Sequence, residues 1–171
     1  MKTIPHPSYP STILYVSDRN VKSAMETLIG RFNFVRAPGE PGIRRLLDLA
    51  PHDGIFAAWF YSRFPYAWIT MVEADEERQK LCVVNAPPGG RVVKADPQSF
   101  VTEVQTKNLA LAFDAVHANW GDFPVSHIHW DALKLAIIEH EPSDLHYVHN
   151  CFVSDFDLVA ADRGFTAWVK T

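Results

Sequence analysis

Cysteine is scarce in this chain: only Cys82 and Cys151 occur in 171 residues. Two isolated thiols give neither zinc-ligand spacing nor a disulfide framework. A reduced, cytoplasmic setting is the expectation. Long apolar runs are missing as well. Nothing approaches the roughly 20 apolar residues of a membrane-spanning helix, and Met1 to Ser11 holds no apolar core of signal-peptide length. No membrane partner is expected. Basic runs are also absent, and 16 Lys and Arg face 20 Asp and Glu, leaving a formal net charge of −4. That balance removes long-range attraction to polyanions, so no nucleic-acid partner is expected. The chain also lacks a P-loop, a nucleophile elbow and a CxxC motif.

What remains is ordinary globular composition, 47% hydrophobic and 21% charged, at a length suited to one domain. Organisation begins at Leu46. The run Leu46 to Ala50 is too short for a helix and reads as a buried parallel strand. The turn Pro51-His52-Asp53-Gly54 follows directly, then a helix from Ile55 to Phe64 that Pro65 ends. A second apolar run, Trp68 to Val72, stops at the acidic Glu73, 19 positions after Gly54. A strand, a tight turn, a helix and a strand ending in a carboxylate make half of a nucleotide-binding βαβ unit.

The rest of the chain continues that alternation. A helix over 76–86 precedes the Pro87-Pro88-Gly89-Gly90 loop, and Arg91 to Ala95 is a third strand. Pro97 opens a short helix to Thr106. Leu109 to Val116 is the fourth strand, Pro124 to Lys134 a helix, and Leu135 to Glu139 the fifth strand. Ser143 to Ser154 forms a helix. Phe156 to Ala161 and Phe165 to Val169 form a hairpin about Asp162-Arg163-Gly164. A competing register makes Phe123 to Asp131 the fourth strand. It leaves too little chain for the crossover that parallel strands require. Ahead of this unit, residues 1–11 carry three prolines and read as an extended arm or disordered tail. Thr12 to Val16 is a possible strand, and a helix runs from Ser17 or Asp18 to about Phe32. Residues 1–42 are thus an arm and lead-in helix, and 43–171 a single α/β domain.

Asp48-Leu49-Ala50-Pro51-His52-Asp53-Gly54 and Glu73 resemble motifs I and II of the class I S-adenosylmethionine-dependent methyltransferases. Within them the turn is most similar to the FkbM-type enzymes, whose motif reads D-x-G-A-N-x-G. Here Ala50 replaces a glycine and Pro51-His52 replaces Ala-Asn. The resemblance implies a Rossmann-like fold with a mostly parallel seven-stranded sheet, helices on both faces and a C-terminal antiparallel hairpin. It implies S-adenosylmethionine as cofactor and a small-molecule acceptor. The turn residues Asp48, Ala50, His52 and Gly54 would then border the methionine and ribose portions, with Asp48 ordering the loop or meeting the ammonium group. Glu73 would accept from the ribose hydroxyls and Asp96 from the adenine amino group.

Each of these has a plainer reading. Asp48 can bond the turn amides, Glu73 can be a solvated helix cap, and Asp96 can cap the helix before Pro97. Phe56 and Trp59 read as core. Phe113 to Asn119 resembles motif IV, which places Asn119 opposite the transferable methyl and His117 on the same face as a potential base; a core histidine is the competing reading. Six of the eight histidines fall in 33 residues, with His127-x-His129 and His146-x-x-His149 at usable metal spacing. They support a rival, a metal-dependent hydrolase or lyase, although no recognised metal signature is present. The altered glycine motif supports another, a non-catalytic binding or regulatory domain on the same fold.

Overall fold

The computed structural model describes residues 2–5, 11, 13–16, 42–109, 112–119, 132–140, 156–162 and 165–170. Strands β1 (Lys2–Pro5) and β2 (Ile13–Val16) pair antiparallel, Lys2 opposite Val16 and Pro5 opposite Ile13. Residues 2–5 of the expected extended arm are therefore a paired strand. Proline is accommodated because it ends β1 in a sheet of only two strands, where ladder donors are few. Leu14 of β2 is buried in the main core.

The principal sheet contains β3 (Arg45–Leu49), β4 (Trp68–Glu73), β5 (Gly90–Lys94), β6 (Ala115–Asn119), β7 (Leu135–Glu139), β8 (Phe156–Asp162) and β9 (Phe165–Lys170). Their order is β5-β4-β3-β6-β7-β9-β8. The first five are mutually parallel, and β9 lies between β7 and β8, antiparallel to both. This is the expected seven-stranded sheet with its terminal hairpin. The adjacency of β3 and β4, with Leu46 opposite Ile69, is as read from the two apolar runs.

Strand alternation sorts side chains onto two faces. Leu46, Ile69, Met71, Ala115, Leu135 and Ile137 share one core with helix α1 (Ile55–Arg63) and Cys82 of helix α2 (Glu76–Asn85). Leu47, Leu49, Val72, Val116, Ala118 and Ile138 share the other with Val101 and Val104 of helix α3 (Pro97–Thr106). Helices thus cover both faces. Burying each large apolar side chain contributes about 1.5–3 kcal/mol, so both layers are needed to hold the sheet.

One strand boundary departs from the sequence reading. The apolar run at Leu109 is not strand: its N–H bonds to the Val104 carbonyl as α3 ends, and the side chain is exposed. β6 begins only after Asp114, whose carboxylate accepts the backbone N–H groups of Arg44 and Arg45 at 2.9–3.2 Å. A side chain that ties two strand starts together marks an end, which hydropathy alone conceals. Helices expected over 17–32 and 143–154, residues 124–131 of the helix expected over 124–134, the alternative strand 123–131 and the tip Arg163-Gly164 lie outside the described residues. Residues 132–134 are turn and loop and not helix, with the Lys134 N–H donating to the Asp114 carbonyl at 2.8 Å.

Candidate functional site

The carboxyl ends of β3, β4, β6 and β7 carry a group of buried polar side chains, Asp48, Glu73, His117 and Glu139. Register creates the group. Asp48 pairs with His117 across β3 and β6, and Asn119 with Glu139 across β6 and β7. All four point to the α1 face, where neighbouring strands stand about 4.8 Å apart. His117 Nδ1 lies 2.6 Å from Asp48 Oδ1, with both side chains fully buried. The other imidazole nitrogen is 3.7 Å from Glu139 Oε2. Phe56 of α1 stacks on the His117 ring at a centroid distance of 3.7 Å. Asp48 Oδ2 and His117 Nε2 have no hydrogen-bond partner among the described residues.

The turn after β3 adopts an unusual backbone. Ala50, His52 and Gly54 have φ of 52°, 58° and 74°, so three alternate residues are left-handed. Glycine reaches that region freely, whereas other residues are strained there by about 1–3 kcal/mol. Gly54 has a second constraint, because a Cβ there would stand 3.0 Å from the Cys82 Cα of α2. Several bonds hold the turn. The Ala50 N–H donates to the Val72 carbonyl at 3.0 Å and the Ile55 N–H to Asp53 Oδ1 at 3.2 Å. Asn85 Nδ2 donates to the Asp53 carbonyl at 2.7 Å.

Glu73, at the end of β4, is buried, which removes the solvated-cap reading. Its carboxylate accepts the His52 N–H at 3.2 Å and the Asp75 N–H at 3.0 Å, so it staples the turn to the start of α2. The His52 imidazole extends toward β6, where Nε2 is 3.0 Å from Asn119 Nδ2. The latter also lies 3.5 Å from Glu139 Oε2. Asp96 stands apart from this group as the N-cap of α3, accepting the Ser99 N–H at 2.8 Å. Trp59 is core, as read.

Asp48, Asp53, Glu73 and Glu139 bring four buried acidic side chains together, with no Lys or Arg among the residues named. Such a field suits a cationic ligand. Burial, then the Asp48, Glu73 and Asp53 carboxylates, push the Cys82 thiol far above its usual range. Cys82 is therefore a neutral thiol, donating weakly to the His52 carbonyl at 3.4 Å. The structure adds Glu139, Asp53 and Asn85 to the residues expected at the site. Glu139 had a usable signal, since it ends an apolar strand as Glu73 does.

No protein-family model matches the chain, and no curated protein matches it by sequence. Solved structures do match. A SAM-dependent methyltransferase from Agrobacterium tumefaciens superposes with a TM-score of 0.65 at 12% identity, over 99% of this chain and 70% of that one. The human methyltransferase 10 domain containing protein gives 0.60 at 12% identity, covering 92% and 88%. The ribosomal protein L11 methylase from Lactobacillus delbrueckii subsp. bulgaricus gives 0.52 at 14%, covering 82% and 77%. The fold is that of the class I methyltransferases. Asp48 lies near the end of β3, Ala50, His52 and Gly54 belong to the turn after it, and Glu73 ends the neighbouring β4. Ligands of open α/β sheets sit beyond strand carboxyl ends at the point where strand order reverses, here between β3 and β6. The histidines of the metal rival at 127, 129, 146 and 149 lie outside the described residues. Among the described residues no group of three or more His, Cys, Asp and Glu is arranged to hold a metal ion.

Proposed function

We propose that the chain binds S-adenosylmethionine over the Asp48–Gly54 turn and transfers its methyl group to a small-molecule acceptor. The observation that carries this reading is the turn's backbone. Ala50 and His52 are held left-handed, where glycine belongs, at the strand ends where ligands of such sheets bind. Strain kept at that place argues for backbone approach to a ligand. The residues present fit the cofactor: four acidic side chains suit its ammonium and sulfonium charges, and Asp48 Oδ2 is a buried acceptor without a described partner. The FkbM-type affinity rests on the motif residues alone.

When bound, the cofactor supplies a methyl on an already activated sulfonium, so the protein's task is orientation and exclusion of water. The turn amides and Glu73 would hold the nucleoside part. Asn119, at the end of β6, would face the acceptor and orient it through its amide. His117 supports from behind, since Phe56 and its own burial separate it from solvent. His52 is the half-buried imidazole, and its Nε2 would take an acceptor's proton where the acceptor displaces the Asn119 amide from it. Calorimetric titration with S-adenosylhomocysteine, followed by a transfer screen over small acceptors, tests the reading. Saturable binding with turnover supports it, binding without turnover points to the non-catalytic domain, and absence of binding removes it.

A further inference from the structure

The opposite edge of the sheet has its own chemistry. Arg45 and Trp68 begin β3 and β4 and are register partners, so their side chains stand side by side on one face. The β3 and β4 strands place them about 10 Å and about 17 Å from Asp48 and Glu73, respectively. Gly42, Ile43, Arg44, Arg45, Phe64, Pro65, Tyr66 and Trp68 line a cavity of about 710 Å³ there.

Its composition departs from the rest of the chain. Tyr66 is 90% and Trp68 68% exposed, unusual values for rings that normally bury most of their surface. Arg44 and Arg45 are exposed beside them, and among the described residues neither guanidinium has an ion-pair partner. Ile43 and Phe64 are buried and form an apolar floor. The ledge carrying the arginines is rigid. Asp114 accepts both backbone N–H groups, and the Trp68 N–H donates to the Arg44 carbonyl at 2.7 Å. The Asp114 carboxylate is thus committed to the backbone.

We infer that this cavity is a second binding site, for a nucleotide: a planar base stacked on Trp68 or Tyr66, with its phosphates on Arg44 and Arg45. A guanidinium binds phosphate oxygens in pairs, and base stacking on aromatic rings is tolerant of sequence. The volume falls within the range of small-ligand pockets. The inference is independent of the methyl-transfer reading, because it uses none of the residues at the other edge.

Uridine diphosphate is a suitable probe, since it shares no base with the cofactor proposed for the carboxyl-end site. Isothermal titration of the native protein should give saturable binding that weakens with added salt. Trp68→Ala and the pair Arg44→Ala/Arg45→Ala should each lower affinity at least about tenfold. Saturating S-adenosylhomocysteine should not displace the nucleotide. All four side chains are exposed, and unchanged melting temperatures will verify that the variants fold; Tyr66→Ala is the reserve variant. The inference is overturned by absence of binding at millimolar nucleotide, by unchanged affinity in both variants, or by pyrophosphate binding as tightly as the nucleotide.

Discussion

Asn119 Nδ2 lies 3.0 Å from Nε2 of His52 and 3.5 Å from Glu139 Oε2. A carboxylate only accepts, so the amide's NH₂ side faces Glu139, and its second hydrogen reaches His52. His52 Nε2 is then the acceptor of that hydrogen. Glu139 and His52, on different elements, are thereby linked through one amide.

That relay makes Asn119 the sharpest variant for turnover. Asn119→Ala frees the His52 ring from its orientation while leaving the turn and Glu73 in place. Transfer should slow by about 10²-fold, the usual penalty of misplacing a reacting group, with cofactor affinity nearly unchanged. Single-turnover rates measured beside calorimetric affinity decide it. Equal loss in both would mean a ground-state contact.

His117 should behave as a supporting residue. His117→Ala leaves the Asp48 carboxylate buried without its partner, a change that typically costs about 3–5 kcal/mol. A large fall in melting temperature with an unaltered rate–pH profile is the expected outcome. A stable variant with an altered pH profile would make His117 the base.

The left-handed turn can be tested by relieving it. Ala50→Gly removes strain of about 1 kcal/mol at φ 52° and should raise the melting temperature by roughly 2–4 °C. Ala50→Val should lower it, since a β-branched residue fits that region worst. Thermal scans of the two variants must move in opposite directions.

Cys82 predicts an alkaline limit. Its folded pKa lies above the unfolded value of 9.0, so the stability it contributes is complete below pH 9 and declines as pH rises further. The decline should be about 1.4 kcal/mol per pH unit, because only the unfolded thiol then ionises. Denaturant titrations from pH 8 to 10 should show a shallower slope in Cys82→Ser. Identical slopes would remove Cys82 from the effect.

Much of this was legible in the residues. Leu46 to Ala50 and Trp68 to Val72 read as strands because continuous apolar runs bounded by turns leave few alternatives, and β3–β4 adjacency followed. The hairpin at the end was visible as two short runs about Asp162-Arg163-Gly164. The start of β6 was hidden because Asp114 looks like an interruption in an apolar run, and its partners at Arg44 and Arg45 are distant in sequence. Glu73 was found by position but not by its bonds. The pairing of its carboxylate with the His52 N–H depends on the turn's backbone, which pattern cannot supply. The Asp48–His117 bond depends on register across two strands 69 positions apart.

Hydrogen exchange read by mass spectrometry, with and without S-adenosylhomocysteine, tests the central claim most directly because it reports where the ligand binds. Added ligand should protect backbone amides in peptides covering 48–56 and 73–78, and leave 42–45 and 64–68 unchanged. Protection confined to the arginine and tryptophan edge, or no protection at either edge, would contradict a cofactor site built on Asp48 to Gly54 and Glu73.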